Sequence, residues 1–170
     1  ETLVRYWAVP GQEGYQHRLG GLEKDNKTGA ISTNPDNHQL MVNNRQAKID
    51  NIAKVIPPLE VEGDVDDADL LIVGWGGTYG HLHEAMDKMR KEGKKVAHAH
   101  FTFISPLPIN TTEVLLKYKK VVIAEQNSGQ LAMYLRGKIA DFTPLQLNRI
   151  KGQPFNVGRL VEEFSKMMEA

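Results

Sequence analysis

The sequence predicts an α/β domain, an open three-layer α/β/α sheet that is mostly parallel, on three observations. Leu70-Leu71-Ile72-Val73 and Val121-Val122-Ile123-Ala124 are apolar runs without alternation, the pattern of strands covered on both faces. A glycine-rich turn, Gly74-Trp75-Gly76-Gly77-Thr78-Tyr79-Gly80, follows the first run and leads into Leu82, Ala85, Met86 and Met89 at helical spacing, the stripe of one buried helix face. Strand and helix signals then alternate, which implies right-handed crossovers with helices on both faces of the sheet.

Composition bounds the function. The 170 residues suffice for one domain with a real core and too little for two comfortable ones. Hydrophobic residues make 41% and charged ones 25%, and Lys plus Arg equals Asp plus Glu at 21 each. That balance removes the electrostatic reason to expect nucleic acid or an anionic membrane surface as partner. With no cysteine, the chain can supply neither a disulfide, nor a thiolate nucleophile, nor cysteine ligands for an iron–sulfur cluster. No apolar stretch approaches the roughly 20 residues that cross a bilayer. Residues 1–5 do not make a signal peptide, so a cytoplasmic protein is expected. A chain numbered from Glu1 without an initiator Met is expected to be a piece of something longer.

In chain order, Leu3, Val4, Tyr6, Trp7 and Val9 suggest a short strand stopped by Pro10-Gly11. A long loop rich in glycine follows, with a hairpin expected to return through Ala30-Ile31-Ser32. So many turn residues without periodicity point to an arm packed on a neighbour, or a linker. Asn34-Pro35-Asp36 is a helix start, and Met41, Arg45, Ile49, Ile52 and Ile56 share one face of a helix ended by Pro57-Pro58. Residues 1–58 therefore form an arm, loop and connecting helix, and residues 59–170 the α/β domain.

Within that domain a short strand is expected over residues 59–61, then an acidic loop with four Asp over 63–69. The loop lacks the glycine and terminal Glu of an EF-hand. Residues 94–101 read as the second strand, and Ile104-Ser105-Pro106-Leu107-Pro108 as a rigid loop. Asn110 with Glu113 resembles a capping box before a short helix to Tyr118. A helix over 129–140 follows the strand 121–124. Leu145, Leu147 and Arg149 alternate with Gln146, Asn148 and Ile150 as in a strand near an edge, and Val157, Leu160, Val161, Phe164 and Met168 mark the closing helix.

Three stretches invite chemistry. The glycine turn 74–80 invites a nucleotide, because backbone N–H groups at a helix start attract phosphate. Its spacing is G-x-G-x-x-x-G, and no Asp or Glu lies between Glu92 and Glu113 to bind a ribose. A structural turn is the expectation, with a free-standing nucleotide- or phosphate-binding module as the alternative. His98 and His100 share one strand face, whereas His81 and His83 lie on opposite sides of a helix. Neither pair comes with a third ligand, so no metal site is expected. Glu125-Gln126-Asn127-Ser128-Gly129-Gln130 brings a carboxylate, amides and a hydroxyl to the carboxyl end of a central strand. No base or nucleophile partner accompanies Ser128. Asn127 or Ser128 capping the next helix, and a polar loop docking another subunit, both satisfy this stretch.

Here the chain resembles a family. Residues 120–131, Lys-Val-Val-Ile-Ala-Glu-Gln-Asn-Ser-Gly-Gln-Leu, followed by Leu135-Arg136, look like the signature near the end of the α subunit of 2-oxoacid:ferredoxin oxidoreductases. Lys151-Gly152-Gln153-Pro154-Phe155 is similar to the same subunits, as are Arg5-Tyr6-Trp7, Gly20-Gly21-Leu22-Glu23, Asn37-His38 and Arg45-Gln46-Ala47-Lys48. Residues 98–108 resemble the second strand and loop of the transketolase carboxyl-terminal domain. Within the family the 2-oxoglutarate enzymes look nearest.

The resemblance implies a mixed sheet of about five strands with one antiparallel, over residues 59–61 or in the arm. It implies a parent enzyme using thiamine diphosphate, magnesium and an iron–sulfur cluster, with coenzyme A as co-substrate and ferredoxin as electron acceptor. None of these cofactors is expected in this segment, and no catalytic residue. The partners implied are the remainder of the α subunit and a β subunit carrying thiamine diphosphate and the cluster. The residues expected at the subunit contact are Gly76, Gly77, Thr78, Ser105, Pro106, Glu125, Gln126, Asn127, Ser128, Gly129 and Gln130.

Overall fold

The computed structural model describes residues 3–4 and 7–169. It divides into two compact units, Glu1–Val55 and Ile56–Ala170.

In the first unit no described residue of the stretch 3–9 is in a strand, and Tyr6 lies outside the described residues. The hairpin is local instead. Lys24 and Ile31 form an antiparallel bridge. The Asp25 carboxylate closes the turn between them by accepting from the Lys27 and Thr28 N–H groups at 2.9 and 2.8 Å, the usual use of Asp in a turn. Helix α1, Pro35–Asp50, starts as the sequence predicts, with Asn34 Oδ1 accepting from the N–H groups of Asp36 and Asn37. The α-helix stops at Asp50, and a single 3-10 turn covers Asn51–Lys54. The expected apolar face is not covered: Met41 alone in α1 is buried, while Ile49 remains 42% exposed. Glu23 joins hairpin to helix by pairing with His38 at 2.9 Å and Arg45 at 3.2 Å. Those bonds, Arg45 first, hold its carboxyl pKa down at about 2.

The second unit runs β1 (Val61–Gly63), β2 (Leu70–Trp75), α2 (Tyr79–Lys91), β3 (Val96–Phe101), α3 (Thr111–Lys117), β4 (Val121–Glu125), α4 (Gln130–Lys138), β5 (Leu145–Asn148) and α5 (Val157–Glu169). The strands form one sheet in the order β1-β3-β2-β4-β5. Every pairing is parallel except β1 with β3. Alternate residues feed two cores. Leu71, Val73, Val121 and Ile123 meet Leu115, Leu131 and Leu135 of α3 and α4 on one face. Leu70, Ile72, Val122 and Ala124 meet Leu82, Met86, Leu160 and Phe164 of α2 and α5 on the other. The continuous apolar runs of β2 and β4 follow from this double cover, and β5 sits at the edge as its alternation predicts.

The antiparallel strand lies two residues later than the sequence suggests. Leu59 is not in it: its N–H and C=O are both bonded by the Asn110 side-chain amide, at 2.7 and 2.9 Å. That takes Asn110 away from the expected capping box, and its side chain makes no cap bond to α3. Gly63, at φ +90°, ends β1. A Cβ there would stand 2.6 Å from the Val96 carbonyl oxygen and 2.7 Å from Met86 Sδ, so only glycine fits.

Candidate functional site

Strand β2 is followed in sequence by β3 on one side and then by β4 on its other side, so the order reverses between β2 and β4. In open α/β sheets the crevice beyond the carboxyl ends at such a switch point is the usual place for a ligand. Here the chain fills it. Trp75, the last residue of β2, donates its indole N–H to Glu125 Oε2, the last residue of β4, at 3.2 Å. Glu125 is fully buried. Its Oε2 also accepts from the Leu131 N–H at 2.8 Å and from Asn127 Nδ2 at 2.9 Å, and its Oε1 accepts from the Ala132 N–H at 3.0 Å. Four donors converge on one carboxylate, two of them the otherwise unpaired N–H groups that open α4. A negative group at a helix N-terminus is where the helix dipole favours it.

The rest of the loop is built on this anchor. Asn127 Oδ1 accepts from the N–H groups of Gly129 and Gln130 at 2.7 and 3.2 Å, so Asn127 caps as one of the two expected readings has it. Ser128 donates its N–H to Gln130 Oε1 at 2.9 Å. Gly129 takes φ +94°, and a Cβ on it would lie 2.5 Å from Gln146 Oε1. Gln126 Nε2 donates to the Gln153 carbonyl at 2.9 Å. That bond ties the loop to the rim of a cavity of about 270 Å³ lined by Arg149, Lys151 and Arg159 among others.

The expected contact residues thus divide. Glu125, Gly129 and Thr78 are buried and shape the loops from within, so they offer no surface to a partner. Thr78 Oγ1 donates to the Trp75 carbonyl at 2.9 Å and accepts its N–H at 3.2 Å. Gly76, Gly77, Ser105, Gln126, Ser128 and Gln130 are exposed, and Pro106 and Asn127 are half-buried. These residues belong to loops at the carboxyl ends of β2, β3 and β4, one rim of the sheet. The glycine turn is bonded within itself through Thr78 and tied to β3 by His100, whose Nε2 lies 3.0 Å from the Gly76 carbonyl.

A second cluster, missed in the sequence, lies under α2. The antiparallel register sets Glu62 opposite His98, and α2 brings His83 and Tyr79 over both. His83 Nδ1 is 2.7 Å from Glu62 Oε2, His98 Nδ1 is 3.6 Å from the same oxygen, and Tyr79 donates to Glu62 Oε1 at 3.0 Å. Neither sequence pair is completed as a pair; the structure instead brings one histidine of each together, His83 and His98, with a carboxylate from β1. Partial burial pushes the Glu62 carboxyl up, but hydrogen bonds from His83 and Tyr79 outweigh it and leave the pKa below the ordinary value. Burial, with His100 beside it, pushes the His98 pKa down to about 4. The spacing of Glu62 to His98 in sequence carries no signal; the signal was a pair of histidines, His98 and His100, in a strand otherwise apolar.

Among the described residues no helix is long and apolar enough to cross a membrane. Residues 68–161, more than half of the chain, match the family model described as pyruvate:ferredoxin oxidoreductase core domain II. The chain is 48% identical over 165 residues to the 2-oxoglutarate oxidoreductase subunit KorA of Mycobacterium tuberculosis, a match covering 95% of this chain and 25% of that subunit. It is 32% identical over 162 residues to subunit alpha of 2-oxoacid:ferredoxin oxidoreductase 2 from Aeropyrum pernix, covering 88% of this chain and 25% of the relative. Among solved structures, the 2-oxoglutarate:ferredoxin oxidoreductase of Magnetococcus marinus, with 2-oxoglutarate, coenzyme A and succinyl-CoA bound, superposes with a TM-score of 0.89 at 30% identity. That match covers 99% of this chain and 29% of the other. The chain spans about a quarter of the length of the relatives it matches. With its five-stranded mixed sheet and these matches, the chain belongs to the pyruvate:ferredoxin oxidoreductase core domain II family.

Proposed function

We propose that this chain is the carboxyl-terminal part of the α subunit of a thiamine-diphosphate-dependent 2-oxoglutarate:ferredoxin oxidoreductase, which converts a 2-oxoacid to its acyl-CoA. Its part there is scaffolding and subunit contact, without catalysis of its own. The observation that carries this reading is the switch-point crevice: the place where an open sheet would receive a ligand is filled by Trp75 and Glu125, while exposed polar groups stand along the rim around it. The rim, with the cationic cavity beside it, faces the remainder of the α subunit or the β subunit. The first unit fits the same reading, because Trp7, Leu19 and Val55 are each more than 80% exposed, and apolar surface of that kind is buried in an assembly.

In such a parent enzyme thiamine diphosphate with magnesium supplies the carbanion chemistry that releases carbon dioxide, and an iron–sulfur cluster passes electrons to ferredoxin. The residues at the switch point fit neither group. The chain has no cysteine to hold a cluster, and the carboxylate at the switch point is already fully engaged by four donors. What these residues do is hold the rim in one shape.

The test is made in the parent α subunit co-expressed with its β subunit, using Ser128→Arg together with Phe103→Arg. Both side chains are exposed, and neither substitution touches the hydrogen bonds of Glu125. Charges forced into a contact surface weaken association at least about tenfold, or 1.4 kcal/mol. Assembly by size exclusion and turnover of 2-oxoglutarate with ferredoxin are expected to fall, with the thermal midpoint of the isolated chain unchanged. Unaltered assembly and turnover would overturn the proposal. A rise of several degrees in the wild-type midpoint on adding a nucleotide would favour the nucleotide-binding module instead.

A further inference from the structure

We propose that Glu62, His83 and His98 form a binding site for one divalent transition-metal ion of the zinc class, clasping edge strand β1 to helix α2. One ligand atom from each residue can be chosen so that all three lie within 4.8 Å of one another. Two imidazoles and a carboxylate, with a fourth position left for water, is a donor set that zinc takes.

The independent sign of a ligand is His98 itself. Its side chain is fully buried, and neither ring nitrogen has a hydrogen-bond partner. A buried polar group left in that state carries a desolvation cost that native structures rarely tolerate. A cation between Glu62 and His98 would occupy the Nδ1 lone pair, which in the absence of the ion only looks across 3.6 Å at the carboxylate. Of the three ligands Glu62 is held from behind, as metal ligands generally are, while His98 Nε2 has no partner and His83 Nε2 only approaches a carboxylate. Tyr79 donates to the second Glu62 oxygen at 3.0 Å, and His83 Nε2 faces Asp87 Oδ2 at 3.8 Å.

Around a tetrahedral zinc, ligands at about 2.0–2.1 Å stand roughly 3.3 Å apart. The 2.7 Å Glu62–His83 contact has to open by about half an ångström, and the 3.6 Å Glu62–His98 contact to close slightly. Glu62 and His83 are half-buried, so rotation of their side chains suffices. The ion's place in the fold gives its role. Strand β1 is only three residues long and antiparallel at the sheet edge, and a shared ligand set would hold it against α2 as backbone pairing alone does not.

The experiment uses the full chain without a histidine tag, stripped with a chelator and desalted. Zinc chloride is titrated calorimetrically, and cobalt(II) is added in parallel to read coordination from its visible absorption. One zinc per chain with a micromolar or tighter dissociation constant is expected, with a thermal midpoint that rises with zinc concentration and a cobalt spectrum of tetrahedral type. Glu62→Gln and His83→Ala, at half-buried positions that tolerate exchange, should each weaken binding at least about tenfold. The control His38→Ala, in the other unit, should leave it unchanged. Absence of saturable binding below about 100 μM would overturn the proposal, and so would binding that survives Glu62→Gln and His83→Ala together.

Discussion

Replacing Glu125 measures what the filled switch point is worth. In Glu125→Ala the N–H groups of Leu131 and Ala132, both buried, lose their acceptor with no water to replace it, at about 1–3 kcal/mol each. The helix loses its N-terminal negative charge, worth about 0.3–2 kcal/mol. Asn127 and Trp75 are only partly buried and recover some solvation. The sum is about 4 kcal/mol, a large part of the 5–15 kcal/mol of a typical domain, and for this length it lowers the melting midpoint by roughly 10–15 °C. Glu125→Gln discriminates further. Oε2 receives three donors and Oε1 one, so the amide should turn its oxygen to the Oε2 position. It then sets its NH₂ against the Ala132 N–H, losing one bond and facing two donors, about 2 kcal/mol. Urea unfolding followed by far-UV circular dichroism gives the order wild type, then Gln, then Ala, with the exposed control Glu162→Ala within about 0.5 kcal/mol of wild type. A loss below about 1 kcal/mol for Glu125→Ala, or no difference between Gln and Ala, would refute the view that this carboxylate is the anchor of the rim.

Two other outcomes follow from the same kind of reasoning. Gly63→Ala should cost about 2–3 kcal/mol, since its Cβ meets the Val96 carbonyl at φ +90°, and hydrogen exchange should speed first at the β1 amides; Gly77→Ala, whose Cβ would meet nothing within 4 Å, is the matched control in thermal melting. The Glu23 carboxyl, held at about 2 against its ordinary 4.5, binds protons more readily unfolded than folded. Its contribution to the hairpin–α1 unit is therefore present above pH 4.5 and lost as pH falls from 4.5 to 2. Chemical shifts of Glu23 and the Arg45 guanidinium followed through that window check it, and a Glu23 midpoint near 4.5 would contradict the pairing.

The relatives and the filled crevice fit one physical picture. A sheet whose switch point is closed by its own side chains has its rim held rigid from below, and under the proposed function that rigidity would serve docking, since a surface already in its bound shape loses little entropy on binding. The buried carboxylate does for this loop what a bound ligand does in other sheets of this type, drawing the indole of one strand and the helix start of another to one point.

Local pattern was enough for the strands β2 and β4, because a strand covered on both faces must be apolar at every position, and Leu70–Val73 and Val121–Ala124 are. It was enough for α2 and α5, whose stripes at Leu82–Met89 and Leu160–Phe164 answer a one-sided cover, and for the Asn34 cap, which acts within three residues. Only the tertiary structure decided the rest. Strand β1 is three residues with no alternation, and its place is set by pairing with β3 some 35 residues away, as in Glu62 with His98. Asn110 looks like a cap until Leu59, 51 residues earlier, takes both ends of its amide. Glu125 looks like a group on offer until α4 folds back over it. Periodicity reports which side of an element is covered; it holds no record of which distant polar group the covering element brings, and that choice made both the anchor at Glu125 and the cluster at His98.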